Sequence, residues 1–238
     1  MSTVRAVTFD FWNTIVRADA DQSSYRLRAW SDEYAAIGHP VDDATLRQTF
    51  RTVWEQHQAA WVRNEQYTGE QAAHAAIDLL ECPVDQATRA RLVERFVTVG
   101  EDAGFGLCDG VDELIRGLDE RGVSVGIVCD VGFTPSAGLR RILEQFGLLG
   151  CFSGWSFSDE VGWYKPARQI FEHALGYLAV SPGEAAHVGD LRRTDVAGAR
   201  AMGMTAVRYR GTHDDRTEGD EAHHVIDHHA ELWSALAL

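Results

Sequence analysis

The most informative segment of the chain is residues 185–203, AAHVGDLRRTDVAGARAMG. Its first five residues are mostly small or apolar and predict a buried strand that ends at the acid Asp190. The run 195–202 predicts a helix, which Gly203 stops. Residues 205–209 then predict another strand. A strand, a helix and a second strand in this order indicate a parallel sheet covered by helices.

The same alternation continues through the rest of the chain after residue 104. The predicted strands are 5–11 near the start, then 123–129, 155–157, 185–189, 205–209 and 223–226. The predicted helices are 111–121, 136–146, 167–178 and 195–202. Ligands of such sheets bind beyond the carboxyl ends of the strands, where Asp10, Cys129 and Asp190 fall. The sequence therefore predicts an α/β fold, a Rossmann-like parallel sheet with helices on both faces.

The block of residues 18–103 has a different pattern, with apolar side chains at helical spacing. Four such stripes occur, at 25–37, 46–61, 72–80 and 92–99. We therefore expect a small all-helical cap domain inserted into the sheet domain. The predicted domains are residues 1–17 with 104–238 for the sheet, and residues 18–103 for the helices.

The composition narrows the classes of partner. The 238 residues carry a formal net charge of −14, which repels nucleic acid and anionic lipid, so neither is an expected partner. No apolar run reaches the roughly 18 residues of a membrane span. The four cysteines show no C-x-x-C spacing, and no signal segment precedes the first strand, so we expect a cytoplasmic protein with reduced thiols. The oligomeric state cannot be read from the sequence.

Lysine occurs once in the chain, at Lys165, against 21 arginines. Lysine carries a compact ammonium group that fits between several oxygens, whereas arginine presents a planar fork. A single lysine just ahead of Pro166 and a predicted helix is compatible with an ordinary surface position. Together with the acids Asp10, Asp190 and Asp195, it indicates instead a packed site for a small anionic substrate.

The order of these motifs resembles the haloacid dehalogenase-like (HAD) hydrolase superfamily. The motifs are Phe9-Asp10-x-x-x-Thr14, Cys129-Asp130, Lys165-Pro166 and Gly189-Asp190-x-x-x-x-Asp195. The resemblance covers nearly the whole chain, and it includes a helical cap between the first and second motifs. The fourth motif is the most specific of them.

The resemblance implies a phosphatase-type reaction on a small phosphorylated metabolite. Asp10 would be the nucleophile that forms an aspartyl-phosphate, and Lys165 would offset the repulsion between carboxylate and phosphate, about 4 kcal/mol per charge pair at 4 Å in an intermediate dielectric. Mg²⁺, which prefers oxygen ligands, would be held by Asp10, the backbone carbonyl of Trp12 and Asp190. Asp195 would act from outside the ligand set or through Lys165; its alternative role is a helix N-cap.

Two departures from the family pattern bear on this reaction. Many relatives carry a second aspartate as general acid where this chain has Trp12, and such an acid contributes typically 10²–10⁴-fold in rate. Relatives carry Ser or Thr at Cys129, whose thiol is a weaker donor, and Asp130 adds a negative charge. These residues and Asn13 are expected at the substrate phosphate.

Two other functions remain open at this stage. A metal-independent 2-haloacid dehalogenase would also place an aromatic residue at position 12, but its motif has Gly at position 13 and lacks Asp190. It would need an arginine for the substrate carboxylate, with four candidates, Arg26, Arg28, Arg47 and Arg51. A binding or regulatory protein that kept the fold is the second alternative. The histidine pairs 223–224 and 228–229 are expected in a surface strand and turn rather than at a metal.

Overall fold

A computed structural model describes residues 4–18, 22–98 and 104–238 of the chain. These residues divide into two compact units. Of the described residues, the sheet unit comprises 4–17, 105–130 and 140–238, and the helical unit comprises 18, 22–98, 104 and 131–139.

Strands and helices alternate along the sheet unit, whereas the helical unit is built from helices. In chain order the strands are β1 (Ala6–Phe9), β2 (Val16–Ala18), β3 (Phe105–Leu107), β4 (Ser124–Cys129), β5 (Gly154–Phe157), β6 (Ala185–Gly189), β7 (Thr205–Tyr209) and β8 (His224–Ile226). The helices are α1 (Gln22–Ala36), α2 (Asp43–Val62), α3 (Gly69–Leu79), α4 (Gln86–Val97), α5 (Val111–Glu120), α6 (Ser136–Gln145), α7 (Ser158–Val161), α8 (Arg168–Leu178), α9 (Ala197–Met202) and α10 (Leu232–Leu236).

Six of the strands form one parallel sheet in the order β5-β4-β1-β6-β7-β8. The first strand therefore lies in the middle, between β4 and β6, and every residue of β1 and β6 is buried. The Rossmann-like α/β fold that the sequence predicts is confirmed. The six predicted strands all occur, with ends that differ by at most two residues, because buried parallel strands are short apolar runs bounded by polar residues.

The sheet unit also contains a two-stranded sheet, β2 with β3, that the sequence analysis did not predict. Each strand has three residues, and nearly ninety residues of chain separate them. The Trp12 ring lies 5.9 Å from the Phe105 ring of β3. Strands this short carry no readable alternation, so only the folded chain reveals them.

The helical unit is held by an aromatic core. Trp30 of α1 meets Phe50 of α2 edge to face at 5.1 Å, and Phe96 of α4 lies 5.5 Å from Trp30. Asp42, Thr68 and Asp85 cap the starts of α2, α3 and α4. Such caps satisfy backbone N–H groups that have no partner within the helix. Residue 99, at the end of the fourth predicted helix, lies outside the described residues.

The predicted domain boundaries differ from the observed units at residues 131–139. The sequence placed this segment in the sheet domain, but it packs with the helices. Phe133 lies 5.4 Å from both Trp54 and His57, and 5.0 Å from Phe96. The packing of the half-buried Phe133 ring against the helical core accounts for the difference. None of the helices in the described parts of the chain combines the length and apolarity needed to cross a membrane.

Candidate active site

The site begins where β1 and β6 end side by side. Phe9 pairs with Val188 in the ladder, and the Asp10 backbone N–H donates to the Val188 carbonyl at 2.8 Å. Asp10 and Asp190 each follow the last paired residues of their strands. Because neighbouring parallel strands end at the same edge of a sheet, the two carboxyl groups lie together, and both are buried.

The segment after Asp190 carries a third carboxylate back to the same place. Residues Arg192–Val196 form a π-helical turn, in which the Val196 N–H donates to the Leu191 carbonyl at 3.2 Å. The wider turn directs Asp195 over the end of β6, where a side chain at Gly189 would overlap its carboxyl group. The predicted helix from residue 195 is therefore a π turn followed by α9, a feature common at functional sites.

Lys165 joins two of these carboxylates. Its Nζ donates to Asp10 Oδ1 at 2.5 Å and to Asp195 Oδ1 at 2.7 Å, and its side chain is 1% exposed. The Lys165 backbone N–H donates to Asp130 Oδ1 at 2.7 Å. Asp130 thus holds the lysine backbone in place, a role that sequence reasoning did not assign to it. The lone lysine is the buried cation of an acidic cluster.

The Asp195 carboxylate accepts hydrogen bonds on both oxygens. Oδ1 receives Lys165 Nζ and lies 3.0 Å from His187 Nε2. Oδ2 receives the Leu191 backbone N–H at 3.0 Å and the Thr194 hydroxyl at 3.3 Å. Four such contacts leave little capacity for a further ligand bond. The N-cap alternative does not describe this environment, because the carboxylate lies among buried side chains of the cluster.

Burial and mutual repulsion set the ionisation of the cluster. Burial, with the nearby negative charges of Asp195 and Asp130, raises the pKa of Asp10 to about 7 despite the contact with Lys165. Burial and the Asp10 charge raise the pKa of Asp190 to about 8. Burial alone would lower the pKa of Lys165, but the carboxylates of Asp10 and Asp195 outweigh it and hold that pKa well above its ordinary value. Burial would raise the pKa of Asp195, yet Lys165 and His187 depress it.

The donor set fits a hard divalent cation. Carboxylate oxygens of Asp10, Asp190 and Asp195 lie within 4.8 Å of one another. With all three ionised, one ammonium leaves the cluster at a net charge of −2, which a divalent cation would neutralise. Oxygen ligands of this kind suit Mg²⁺. Because the oxygens of Asp195 are already engaged, Asp10 and Asp190 are the residues that would hold the ion, with the Trp12 carbonyl as the expected third protein ligand.

Trp12 occupies the position of the missing acid. Its ring is half-buried and contacts Phe11 edge to face at 4.9 Å, in addition to Phe105. Asn13 follows in the left-handed region with φ 58°, which asparagine tolerates better than most side chains. Its backbone N–H donates to the Val16 carbonyl at 2.8 Å. The indole is a hydrogen-bond donor only and has no acidic proton to give a leaving group.

Cys129 ends β4 and is fully buried. Its thiol lies 3.5 Å from the Asp130 carbonyl, within reach of a weak hydrogen bond. Burial and the charge of Asp10 raise the pKa of this thiol well above its ordinary value. A thiol of this kind is a poor nucleophile, which supports the choice of Asp10 for that role.

The four arginines considered for a dehalogenase all lie in the helical unit. Arg26 is buried and donates to the Phe96 carbonyl at 2.6 Å and to Thr134 Oγ1 at 3.0 Å. Arg28, Arg47 and Arg51 are exposed. Arg47 forms an ion pair with Asp43, and Arg28 lies over the Tyr25 ring. The contacts of Arg26, Arg28 and Arg47 are all with residues of the helical unit, which they stabilise.

Three histidines at or near the site were missed as functional candidates. His187 links Asp195 to Thr8 of β1. His213 Nδ1 lies 3.4 Å from Asp190 Oδ2. His229 is fully buried and its Nε2 lies 2.9 Å from the Thr14 carbonyl, so the expected surface turn is wrong for this residue. The one signal in the sequence was a histidine inside an otherwise apolar strand, at position 187.

Comparisons with known proteins show the family of the chain. Residues 4–203 match the haloacid dehalogenase-like hydrolase family, and the chain belongs to that family. Haloacid dehalogenase-like hydrolase domain-containing protein 3 from Homo sapiens is 25% identical over 84% of this chain and 80% of its own. The Bos taurus protein of the same name is 36% identical over 40% of this chain, a match that spans 37% of that protein. The glyceraldehyde 3-phosphate phosphatase from Methanopyrus kandleri is 30% identical over 67% of this chain and 70% of its own.

Solved structures share the fold at lower identity. A 2-haloacid dehalogenase from Pseudomonas syringae superposes with a TM-score of 0.72 at 21% identity, over 99% of each chain. The HAD-hydrolase YfnB from Bacillus subtilis, bound to magnesium, superposes with a TM-score of 0.68 at 18% identity, over 100% of each chain. Identity this low establishes the fold and leaves the reaction to be argued from the site.

Proposed function

We propose that this hydrolase is a magnesium-dependent phosphatase of a small phosphorylated metabolite, which acts through an aspartyl-phosphate on Asp10. The observation that carries the proposal is the contact of Lys165 Nζ with Asp10 Oδ1 at 2.5 Å, beside the buried carboxyl group of Asp190. A metal-independent reaction would have no use for Asp190, whose burial is costly without a counter-charge.

Each residue of the cluster has a distinct part in this reaction. The free Asp10 oxygen attacks phosphorus, the bond from phosphorus to the leaving oxygen breaks, and water later attacks phosphorus to release phosphate and restore the carboxylate. Lys165 offsets the charge of both carboxylate and phosphoryl oxygens, and Asp195 keeps the ammonium in place. Mg²⁺, when bound, would supply the positive charge that lets Asp10 stay ionised beside an anionic substrate.

The leaving oxygen receives no proton from position 12, because Trp12 replaces the acid that many relatives carry there. We therefore expect slow turnover of ordinary alkyl phosphates. Good leaving groups such as p-nitrophenolate need no proton at neutral pH, and substrates that carry their own acidic group could supply one. The missing acid removes a rate factor of roughly 10²–10⁴.

The named relatives support the reaction class. The Methanopyrus kandleri relative is a phosphatase of a three-carbon phosphate, and a relative 33% identical over 52% of this chain is the ribulose-1,5-bisphosphate 5-phosphatase from Halopiger xanaduensis. Both act on small phosphorylated sugars. We propose a phosphate ester of similar size as the substrate of this chain.

The test is metal-dependent release of p-nitrophenolate from p-nitrophenyl phosphate. Asp10→Asn should abolish it, since an amide oxygen is a poor nucleophile, and Asp220→Asn, an exposed acid in the loop before β8, should leave it unchanged. Undiminished release by the Asp10→Asn variant would exclude the mechanism. Halide release from a 2-haloacid in the presence of EDTA would favour the dehalogenase alternative, and ligand binding without any turnover would favour a binding protein.

A further inference from the structure

We propose that His187 is a positioning residue of this site, which fixes the Asp195 oxygen shared with Lys165 and thereby directs the ammonium group at Asp10. The catalytic consequence rests on the proposed function, whereas the structural consequence does not. None of the sequence motifs that define the site assigns a role to this histidine.

The contacts of His187 run across the middle of the sheet. It lies within β6, directly opposite Thr8 of β1 in the parallel ladder. Its Nδ1 is 2.9 Å from Thr8 Oγ1, and its Nε2 is 3.0 Å from Asp195 Oδ1. The ring meets Phe171 edge to face at 5.2 Å, and the residue is 1% exposed. Packing and two hydrogen bonds together leave the imidazole one orientation.

The hydrogen-bond partners determine which ring nitrogen carries the proton. An ionised carboxylate only accepts, so His187 Nε2 carries the hydrogen and donates to Asp195 Oδ1. Nδ1 of the neutral ring is then an acceptor, and at 2.9 Å it takes the Thr8 hydroxyl hydrogen in preference to the Ala186 carbonyl, which lies 3.3 Å from the same hydroxyl. Burial lowers the pKa of His187 and so favours this neutral form.

The two donors on Asp195 Oδ1 act on one another through that oxygen. Lys165 donates one hydrogen bond to Asp195 and another to Asp10. The direction of the bond to Asp10 depends on where Asp195 Oδ1 is held, because both bonds start from the same ammonium group. Without His187, Oδ1 keeps Lys165 as its only donor among the described contacts, and the carboxyl group can rotate about the two bonds to Oδ2. Removal of a residue that orients a functional side chain through a hydrogen bond typically lowers activity by 10–100-fold.

The alternative is that His187 only fills space in the sheet. Three substitutions of His187 and one of Thr8 separate the two roles. Glutamine carries its amide nitrogen at about the reach of Nε2, so His187→Gln can still donate to Asp195. Asparagine reaches only as far as Nδ1, so His187→Asn can bond Thr8 but not Asp195, and His187→Leu bonds neither. Thr8→Val removes the Thr8 hydroxyl and leaves the Asp195 contact.

The single lysine of the chain gives a direct readout that does not depend on activity. In protein labelled with ¹⁵N-lysine, one Nζ signal is possible, and it is observed when buried hydrogen bonds slow its exchange with water. We expect a protected Nζ signal in the wild type, in His187→Gln and in Thr8→Val. We expect its loss in His187→Asn and His187→Leu.

Steady-state kinetics with p-nitrophenyl phosphate and Mg²⁺ supply the second readout. His187→Asn and His187→Leu should lose roughly 10-fold or more in kcat with little change in KM, and His187→Gln should recover most of it. Full protection and full kcat in His187→Asn would overturn the proposal, as would an equal loss in all three variants. If the wild type proved to lack phosphatase activity, the proposed function would fail, and the Nζ signals would still decide the positioning role.

Discussion

The carboxyl group of Asp195 occupies the space that a side chain at Gly189 would fill, since a Cβ at position 189 would lie 2.2 Å from Asp195 Cγ. Gly189 and Asp190 at the end of β6 therefore have two separate structural roles. Asp190 supplies a carboxylate beside Asp10, and Gly189 makes room for the acid that holds Lys165.

Gly189→Ala should displace Asp195 and weaken the contact with Lys165. Forcing extra atoms into a packed site costs about 1–3 kcal/mol. The melting temperature should therefore fall by several degrees, and phosphatase activity should fall with it. The matched control is Gly176→Ala in α8, where a Cβ meets nothing within 4 Å and a helical alanine should stabilise slightly. Wild-type activity in the Gly189 variant would show that Asp195 needs no fixed position.

Trp12→Asp should restore the general acid that the chain lacks. We expect higher kcat on phosphates with poor leaving groups, by about 10-fold or more, and little change with p-nitrophenyl phosphate. Trp12→Asn is the control, because it also removes the contact with Phe105 but supplies no acid. Equal rates for the two variants across a panel of phosphates would contradict the assigned role of position 12.

The affinity for Mg²⁺ should rise steeply with pH. The ordinary pKa of an aspartate is 3.8, and the site raises it to about 7 for Asp10 and about 8 for Asp190. Without metal, the folded protein keeps protons between about pH 4 and 8 that the unfolded chain releases, so stability falls as the pH rises through this window. Mg²⁺ binding must displace those protons.

The dissociation constant, measured by isothermal titration, should therefore fall on the order of a hundredfold from pH 6 to pH 8. The increase in melting temperature caused by Mg²⁺ should also be larger at pH 8. Asp190→Asn should bind the metal more weakly and with a shallower dependence on pH, since one titrating group is gone. A flat affinity in the wild type would mean that the two carboxyl groups are ionised without metal.

Local sequence signals predicted most of the sheet unit, but they could not predict contacts across it. The bounds of β6 and β7 were predicted as observed, because each is a short buried run ended by a charged or polar residue. Asp10 and Asp190 stood out as acids at the ends of such runs, and Lys165 stood out as the single lysine of the chain. The family resemblance then assigned their order, and the structure brings them together.

The rest required the register of the sheet. His187 and Thr8 are polar residues in buried strands, yet only the pairing of β1 with β6 places them opposite each other. The π turn before α9 depends on the backbone hydrogen bonds from Val196 to Leu191 and from Ala197 to Arg192, which the local composition does not encode. The sequence analysis placed Phe133 in the sheet domain, because the position of a residue along the chain does not determine which hydrophobic core its side chain packs against.

His229 should make stability depend on acid pH. Its ring stacks on Tyr209 at 4.2 Å and is held at the Thr14 carbonyl, and its Nδ1 is buried with no hydrogen-bond partner among the described residues. Burial lowers its pKa from 6.5 to about 4. Between these values the unfolded chain binds the proton and the folded protein does not. The contribution of His229 to the free energy of unfolding is therefore complete above pH 6.5 and is lost as the pH falls toward 4.

The loss should reach about 2–3 kcal/mol by pH 4.5. The free energy of unfolding in urea is the measurement, compared between the wild type and His229→Gln, which keeps an N–H donor but cannot titrate. Other titrating groups are common to both proteins and cancel in the difference, so the wild type should lose stability faster below pH 6.5. Parallel curves from pH 7 to 4.5 would mean that the folded protein accepts a proton on His229 as readily as the unfolded chain does, and the buried Nδ1 would then need a partner in solution.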